Sequence, residues 1–321
     1  MLELLKRPAV LAGVVLSTGL IASAQTMPQP GTVSYVEGHA SIDGRAIPSG
    51  SLRSTVVNTG QTLSTGMGSK AEMLLTPGVV LRIGNDSAVR MVAPSLTNTQ
   101  VALTRGTAMV EVDQISPENR LAVSDQNANI RLEKTGLYSF SANPPMVAVY
   151  DGKADVQVGD RTADVGKGRE LMLQANARLK TEKFDRDQQG DLYAWSKLRS
   201  EYMSEANGYS AETILAYDPG WWYGTGWYWN PYFDSWAFVP GAGYLYSPFG
   251  FGFFAPGYAY YGGHGFYGHG YYGGRHYAGA VSGFRGAPPA VAHAGGFSGG
   301  FHGGGFGGFG GGGFHGGGGR R

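Results

Sequence analysis

The sequence predicts an all-β fold, a short-stranded β-sandwich or β-roll, followed by one helix, an aromatic hairpin module and a disordered Gly-rich tail. Three observations predict it. Between residues 31 and 175, apolar residues alternate over short runs, with turn signals about every ten residues and no amphipathic helix between them. Within that stretch one spaced pattern occurs three times, as Val33-Gly38-Ala40-Ile42, Val101-Gly106-Ala108-Val110 and Val147-Gly152-Ala154-Val156. From Tyr209 onward the chain changes character and holds most of its 54 glycines and five of its six tryptophans.

The first 24 residues read as an export leader. Lys6 and Arg7 precede an apolar run from Ala9 to Ile21, and Ala22-Ser23-Ala24 fits the small-residue cleavage rule, with Gln25 as the mature start. An uncleaved anchor is the alternative. The run is short for a bilayer, and no second span is expected in the mature chain. The expected location is the periplasm, the cell envelope or the exterior. The chain has no cysteine, which excludes disulfides, thiolate metal sites and cysteine nucleophiles. Removing Glu3, Lys6 and Arg7 with the leader balances the basic and acidic side chains, so nothing points to nucleic acid or anionic lipid.

The strands are read from alternation bounded by turns. Ala71 to Leu75 precedes Pro77-Gly78, and Val79 to Ile83 precedes Gly84-Asn85-Asp86. Ala128 to Leu132 follows, then Leu137 to Ser141 with Tyr138 and Phe140 in phase. In the recurring pattern, apolar alternation on both sides of a central glycine predicts two short strands around a turn or bulge. A unit used three times predicts a scaffold built by stacking.

The order of these motifs resembles the FecR domain family. The matching segments are Gly31-Thr32-Val33 with Val36 to Ala40, Gly60 to Gly66, and Ser69 with Ala71, Met73 and Leu75. Leu103 to Ala108 and Val149 to Val156 complete them. Thr135-Gly136 and Thr76-Pro77-Gly78 depart from the family pattern. The resemblance implies an exported, non-catalytic β domain over residues 31–175. Family members that regulate sigma factors carry a cytoplasmic segment before a membrane span. Only eight residues precede the apolar run here, so the sigma-regulating role is not carried over.

Residues 185–208 are expected to be an amphipathic helix. Asp191 can cap it, Asn207-Gly208 can stop it, and Leu192, Trp195, Leu198, Arg199 and Tyr202 share a stripe. Trp195 and Arg199 resemble the Trp-x-x-x-Arg helix that follows FecR-like domains in exported proteins. Packing on the β domain and docking a partner are both open.

No constellation carries catalysis. Gly166-Lys167-Gly168 lacks the Ser or Thr of a phosphate loop, and no Gly-x-Ser-x-Gly elbow is present. His39 is the single histidine before residue 264 and sits in a variable turn slot. Asp185, Asp187, Gln189 and Gly190 only superficially resemble a calcium loop, because Ser196 stands where the bidentate Glu belongs. The chain is expected not to be an enzyme and to hold neither metal nor cofactor.

The segment 209–261 is the candidate interaction region, through Trp221, Trp222, Trp227, Trp229 and Trp236. Trp227 and Trp229 alternate, as do Trp236 and Phe238, across Asn230 to Ser235, which predicts a hairpin with one aromatic face. Three readings fit: a satellite core, a stacking platform for cell-wall glycan, and self-association. The tail 262–321 sets single Phe, Tyr and His among glycines and cannot offset its ordering entropy by burial. Its six histidines allow weak metal capture, and its aromatics allow adhesion. The expected function is structural or adhesive interaction. The alternative is a ligand-binding sensory module working with a separate membrane signalling protein.

Overall fold

The computed structural model describes residues 27–48, 51–174, 178–217 and 224–258. All lie in the first of two units, Met1–Gly270, the second being Tyr271–Arg321. The leader, Trp221, Trp222 and the tail 262–321 lie outside the described residues.

The strands of the β domain are β1 (Thr32–Glu37), β2 (Ala40–Ile42), β3 (Arg45–Ala46), β4 (Thr62–Thr65), β5 (Lys70–Leu74) and β6 (Val79–Ile83). They continue with β7 (Ala88–Ser95), β8 (Asn98–Arg105), β9 (Thr107–Val112), β10 (Arg120–Asp125), β11 (Ala128–Leu132) and β12 (Gly136–Ala142). Then come β13 (Pro145–Asp151), β14 (Lys153–Val158), β15 (Arg161–Gly166), β16 (Arg169–Met172) and β17 (Thr181–Lys183). One sheet has the order β1-β5-β6-β9-β12-β13-β16-β17, the other β15-β14-β11-β10-β8-β7-β4-β2-β3. Pairing is antiparallel except between β8 and β10. Val33, Leu81 and Phe140 of the first sheet share one buried cluster with Leu63, Val101 and Ile130 of the second. The predicted all-β fold is present.

The recurring glycine pattern has a sharper meaning than a turn or bulge. β1 and β2 flank Gly38, β8 and β9 flank Gly106, and β13 and β14 flank Gly152. In every case the two strands belong to different sheets. The pattern is therefore a corner at which the chain leaves one sheet and enters the other. All three glycines have positive φ, 78°, 76° and 97° in turn. That region disfavours a side chain on steric grounds. A Cβ at Gly106 would lie 2.7 Å from Ser87 Cα, and one at Gly152 would lie 2.8 Å from Tyr138 Cζ. Tyr138 is itself fixed, since its hydroxyl donates to Lys134 O at 2.6 Å.

Among the described residues, one long helix, α1 (Asp191–Tyr217), lies on the outer face of the first sheet. It starts later than expected and runs through Asn207-Gly208. Asn207 does not stop the helix because its side chain is used elsewhere. Nδ2 donates to Phe238 O and Phe254 O, at 2.8 and 3.0 Å, and Oδ1 accepts from Phe254 N. The expected stripe is also rotated. Leu198 and Tyr202 are exposed, whereas Trp195, Ser196, Arg199, Ser200, Met203 and Asn207 are buried. The buried face meets carboxylates and backbone carbonyls, so small polar residues suit it better than leucine.

Two hairpins follow, β18 (Gly226–Asn230) with β19 (Ser235–Val239) and β20 (Tyr244–Tyr246) with β21 (Gly252–Phe254). A second apolar cluster joins Leu74 and Val80 of the sheet, Met203 of the helix, and Trp227, Trp236, Phe238 and Phe253 of the hairpins. As a result β5 and β6 are buried along their whole length, on both faces. Burying a ring such as Phe238 or Phe253 contributes about 1.5–3 kcal/mol.

Candidate interaction site

The site is built from the outer face of the first sheet upward. Register places Glu72 of β5 opposite Arg82 of β6, and Val80 opposite Glu111 of β9. Alternation sends Glu72, Arg82 and Glu111 outward with Leu74 and Val80. An open sheet would leave these charges in water. Here helix and hairpins cover them, and Glu72, Arg82 and Glu111 are at most 1% exposed.

Burial of charge is costly unless each group is paired. Arg82 Nε donates to Glu72 Oε2 at 2.8 Å, and Arg82 Nη1 donates to Glu111. From the helix, Arg199 Nη2 donates to Glu72 Oε1 at 3.0 Å, and Ser200 Oγ donates to Glu111 Oε1 at 2.6 Å. Ser34 Oγ adds a bond to Glu72 Oε1. Burial would push the Glu72 carboxyl up, but Arg199 and Arg82 outweigh it and hold it at about 2. Asp113 behaves oppositely. Its burial and the neighbouring Glu111 raise its carboxyl well above the ordinary range, despite Arg82. The Arg82 and Arg199 guanidiniums thus face the carboxylates of Glu72 and Glu111, and the Asp113 carboxyl is driven towards its neutral form.

The Trp-x-x-x-Arg spacing becomes intelligible on this row. Trp195 Nε1 donates to Glu37 Oε2 at 2.8 Å, and the Arg199 guanidinium lies 3.9 Å over the Tyr35 ring. Lys70 pairs with Asp191 at 2.9 Å, tying down the first turn. Trp195 and Arg199 therefore seat the helix on β1 and β5.

The hairpins sit on the helix in the same way twice. Gly226-Trp227-Tyr228-Trp229-Asn230-Pro231 and Gly243-Tyr244-Leu245-Tyr246-Ser247-Pro248 are two copies of one pattern: Gly, aromatic, any residue, aromatic, Asn or Ser, Pro. Asn230 Oδ1 accepts from Tyr232 N and Phe233 N, and Ser247 Oγ accepts from Phe249 N and Phe251 N. Each turn-forming side chain also reaches the helix. Asn230 Nδ2 donates to Ala206 O and Ser210 Oγ, and Ser247 Oγ lies 3.3 Å from Ser200 Oγ. Asn207 stands between them and bonds the equivalent carbonyls of Phe238 and Phe254.

The candidate aromatics divide on this framework. Trp227 and Trp236 are 6% and 3% exposed and pack in the second core, so neither face is open as a platform. Trp229 is half-buried, 5.3 Å edge-to-face from Trp236, with Arg53 Cζ 4.6 Å over its ring. Trp221 and Trp222 lie outside the described residues. The exposed rings here are tyrosines: Tyr232 (71%) in the turn of the first hairpin, stacked on Tyr209 of the helix, and Tyr244 (52%), Tyr246 (54%) and Tyr258 (39%) at the second hairpin. Tyr244 lies 4.8 Å from Tyr258 and 5.7 Å from Tyr246, and Phe254 stacks on Tyr258 at 6.2 Å. The repeated Gly-aromatic-x-aromatic pattern is the signal that would have found Tyr244 and Tyr246. His39 is exposed in a turn, and Asp185 spends its Oδ1 on Asp187 N. Among the described residues, no three His, Asp or Glu side chains converge as a metal site.

Comparison with curated proteins gave no match. Two crystal structures of a protein assigned as an anti-sigma factor from Parabacteroides distasonis resemble the chain, with TM-score 0.36 and identities of 16% and 15%. Each similarity covers 42% of this chain and 64% of the other, so the chain spans less than two thirds of those relatives. The family model described as FecR protein matches residues 61–155, which run from the start of β4 into β14. Residues 61–155 of this chain are therefore FecR-like.

Proposed function

We propose that this protein is a non-enzymatic, exported interaction protein of the cell envelope or its exterior. The FecR domain is the scaffold, and the hairpins carry the contact surface. The observation that carries this reading is the division of the aromatic residues. Trp227, Trp236 and Phe238 hold the first hairpin to the scaffold, while Tyr244, Tyr246 and Tyr258 face solvent. Exposed neighbouring rings on a rigid support mark an interaction surface. The leader pattern over residues 1–24 supports export.

Cell fractionation with N-terminal sequencing tests the location. The expected result is protein starting at Gln25 in the envelope or medium. Intact Met1 protein in the cytoplasm would overturn export. The FecR match favours a second reading, a sensory module coupled to a separate membrane signalling protein. Deleting the gene would then change expression from a sigma-factor-dependent promoter. Under the interaction reading that expression stays constant.

A further inference from the structure

We infer that the tyrosine face of the second hairpin, formed by Tyr244, Tyr246 and Tyr258, binds neutral carbohydrate. This rests on the interaction reading and names the partner's chemistry.

Three observations point to that ligand. The first is the comparison of equivalent positions. Where the first hairpin has Trp227 and Trp229, the second has Tyr244 and Tyr246. The ring that meets Leu74, Val80 and Met203 is a tryptophan, and the rings that meet water are tyrosines. A tyrosine offers an apolar face to C–H bonds and a hydroxyl that donates and accepts in the ring plane. A pyranose ring offers the complementary pair, axial C–H bonds and equatorial hydroxyls.

The second observation is charge. From Ser235 to Tyr258 the chain has no Asp, Glu, Lys, Arg or His. Among the described residues no salt bridge involves either hairpin. The strands of this face supply no cation for phosphate and no carboxylate for a basic peptide, which suits a neutral, hydroxyl-bearing ligand.

The third is rigidity. The second hairpin is held from behind by Phe253, fully buried, by Ser204 Oγ donating to Gly252 O at 2.6 Å, and by the Asn207 bonds. The tyrosines therefore present a preorganised surface, which lowers the ordering cost of binding.

The experiment is calorimetric titration of the full mature chain with two neutral probes, an N-acetylglucosamine oligomer and a cello-oligosaccharide. It compares the wild type with Tyr244→Ser/Tyr246→Ser and Tyr244→Phe/Tyr246→Phe, each checked for folding by circular dichroism and thermal midpoint. The expected result is saturable binding to at least one probe, unchanged by high salt. The Ser pair should weaken it roughly 2- to 10-fold per ring removed, and the Phe pair should weaken it less. Absence of binding by the wild type to both probes, or equal binding by the Ser pair, would overturn the carbohydrate assignment. Sedimentation of the same proteins then separates the two failures. Self-association lost in the Ser pair would keep the interaction reading with a second copy as partner. Its absence in the wild type as well would remove that reading too.

Discussion

The two hairpins share one sequence pattern and one way of sitting on the helix, yet they bury opposite faces. Trp227 pairs with Phe238 and Trp229 with Trp236 in the first, and that face turns inward. In the second the equivalent partners, Tyr244 with Phe254 and Tyr246 with Gly252, turn outward. The alternate pair, Leu245 and Phe253, takes the core role instead. A local pattern therefore fixes the strand pairing and the turn, while the surface it lands on decides which side of the pleat is core. The residue choice follows that decision, tryptophan against sheet and helix, tyrosine against water.

The largest effect should come from the charge row on which the helix rests. Arg82→Ala leaves Glu72 and Glu111 buried without their main partner. It should destabilise the folded protein by about 3–5 kcal/mol, read from urea unfolding midpoints. A loss below about 1 kcal/mol would mean water reaches the row, as it does at an exposed pair.

Next in size is Asn207→Ala, which removes bonds to both hairpins at once. The expected cost is about 1–3 kcal/mol, from carbonyl and amide groups left unsatisfied. Hydrogen exchange should show faster opening of β19 and β21 together. Acceleration confined to one hairpin would break the equivalence of the two.

A smaller effect should appear with acid. Arg199 and Arg82 hold Glu72 at about 2, below its ordinary value of 4.5, despite its burial. A depressed carboxyl stabilises the fold above the ordinary value, and that contribution is lost as pH falls through about 2. Acidification from 4.5 towards 2 should therefore loosen the helix and shift tryptophan emission to the red. In Glu72→Gln the same titration should show a weaker pH dependence over that interval.

Much of the β domain was legible because its signals are local. Val79–Ile83 and Ala128–Leu132 form strands at the residues where alternation and flanking turns put them. The hairpin at Trp227 to Phe238 was legible for the same reason. What local pattern could not show was the second layer. Alternation puts Glu72, Arg82 and Glu111 on one side of the sheet but does not say what covers that side. The helix face was misjudged on Leu198 and Tyr202 because apolar periodicity assumes an apolar partner. Here the partner is a row of carboxylates and carbonyls, so Ser200 and Asn207 turn inward. At the candidate site, tryptophan content drew attention to the rings that hold the hairpin down. Tyr244 and Tyr246 were visible as the second copy of the Gly-aromatic-x-aromatic pattern.

The most direct test of core against open face compares two single substitutions at equivalent positions, Trp227→Ala and Tyr244→Ala, by urea unfolding of the mature protein. Burial of Trp227 and exposure of Tyr244 predict a loss of about 3–5 kcal/mol for the first and a change within about 0.5 kcal/mol for the second. Equal losses, or a larger loss at Tyr244, would contradict the assignment of one hairpin to the core and the other to the surface.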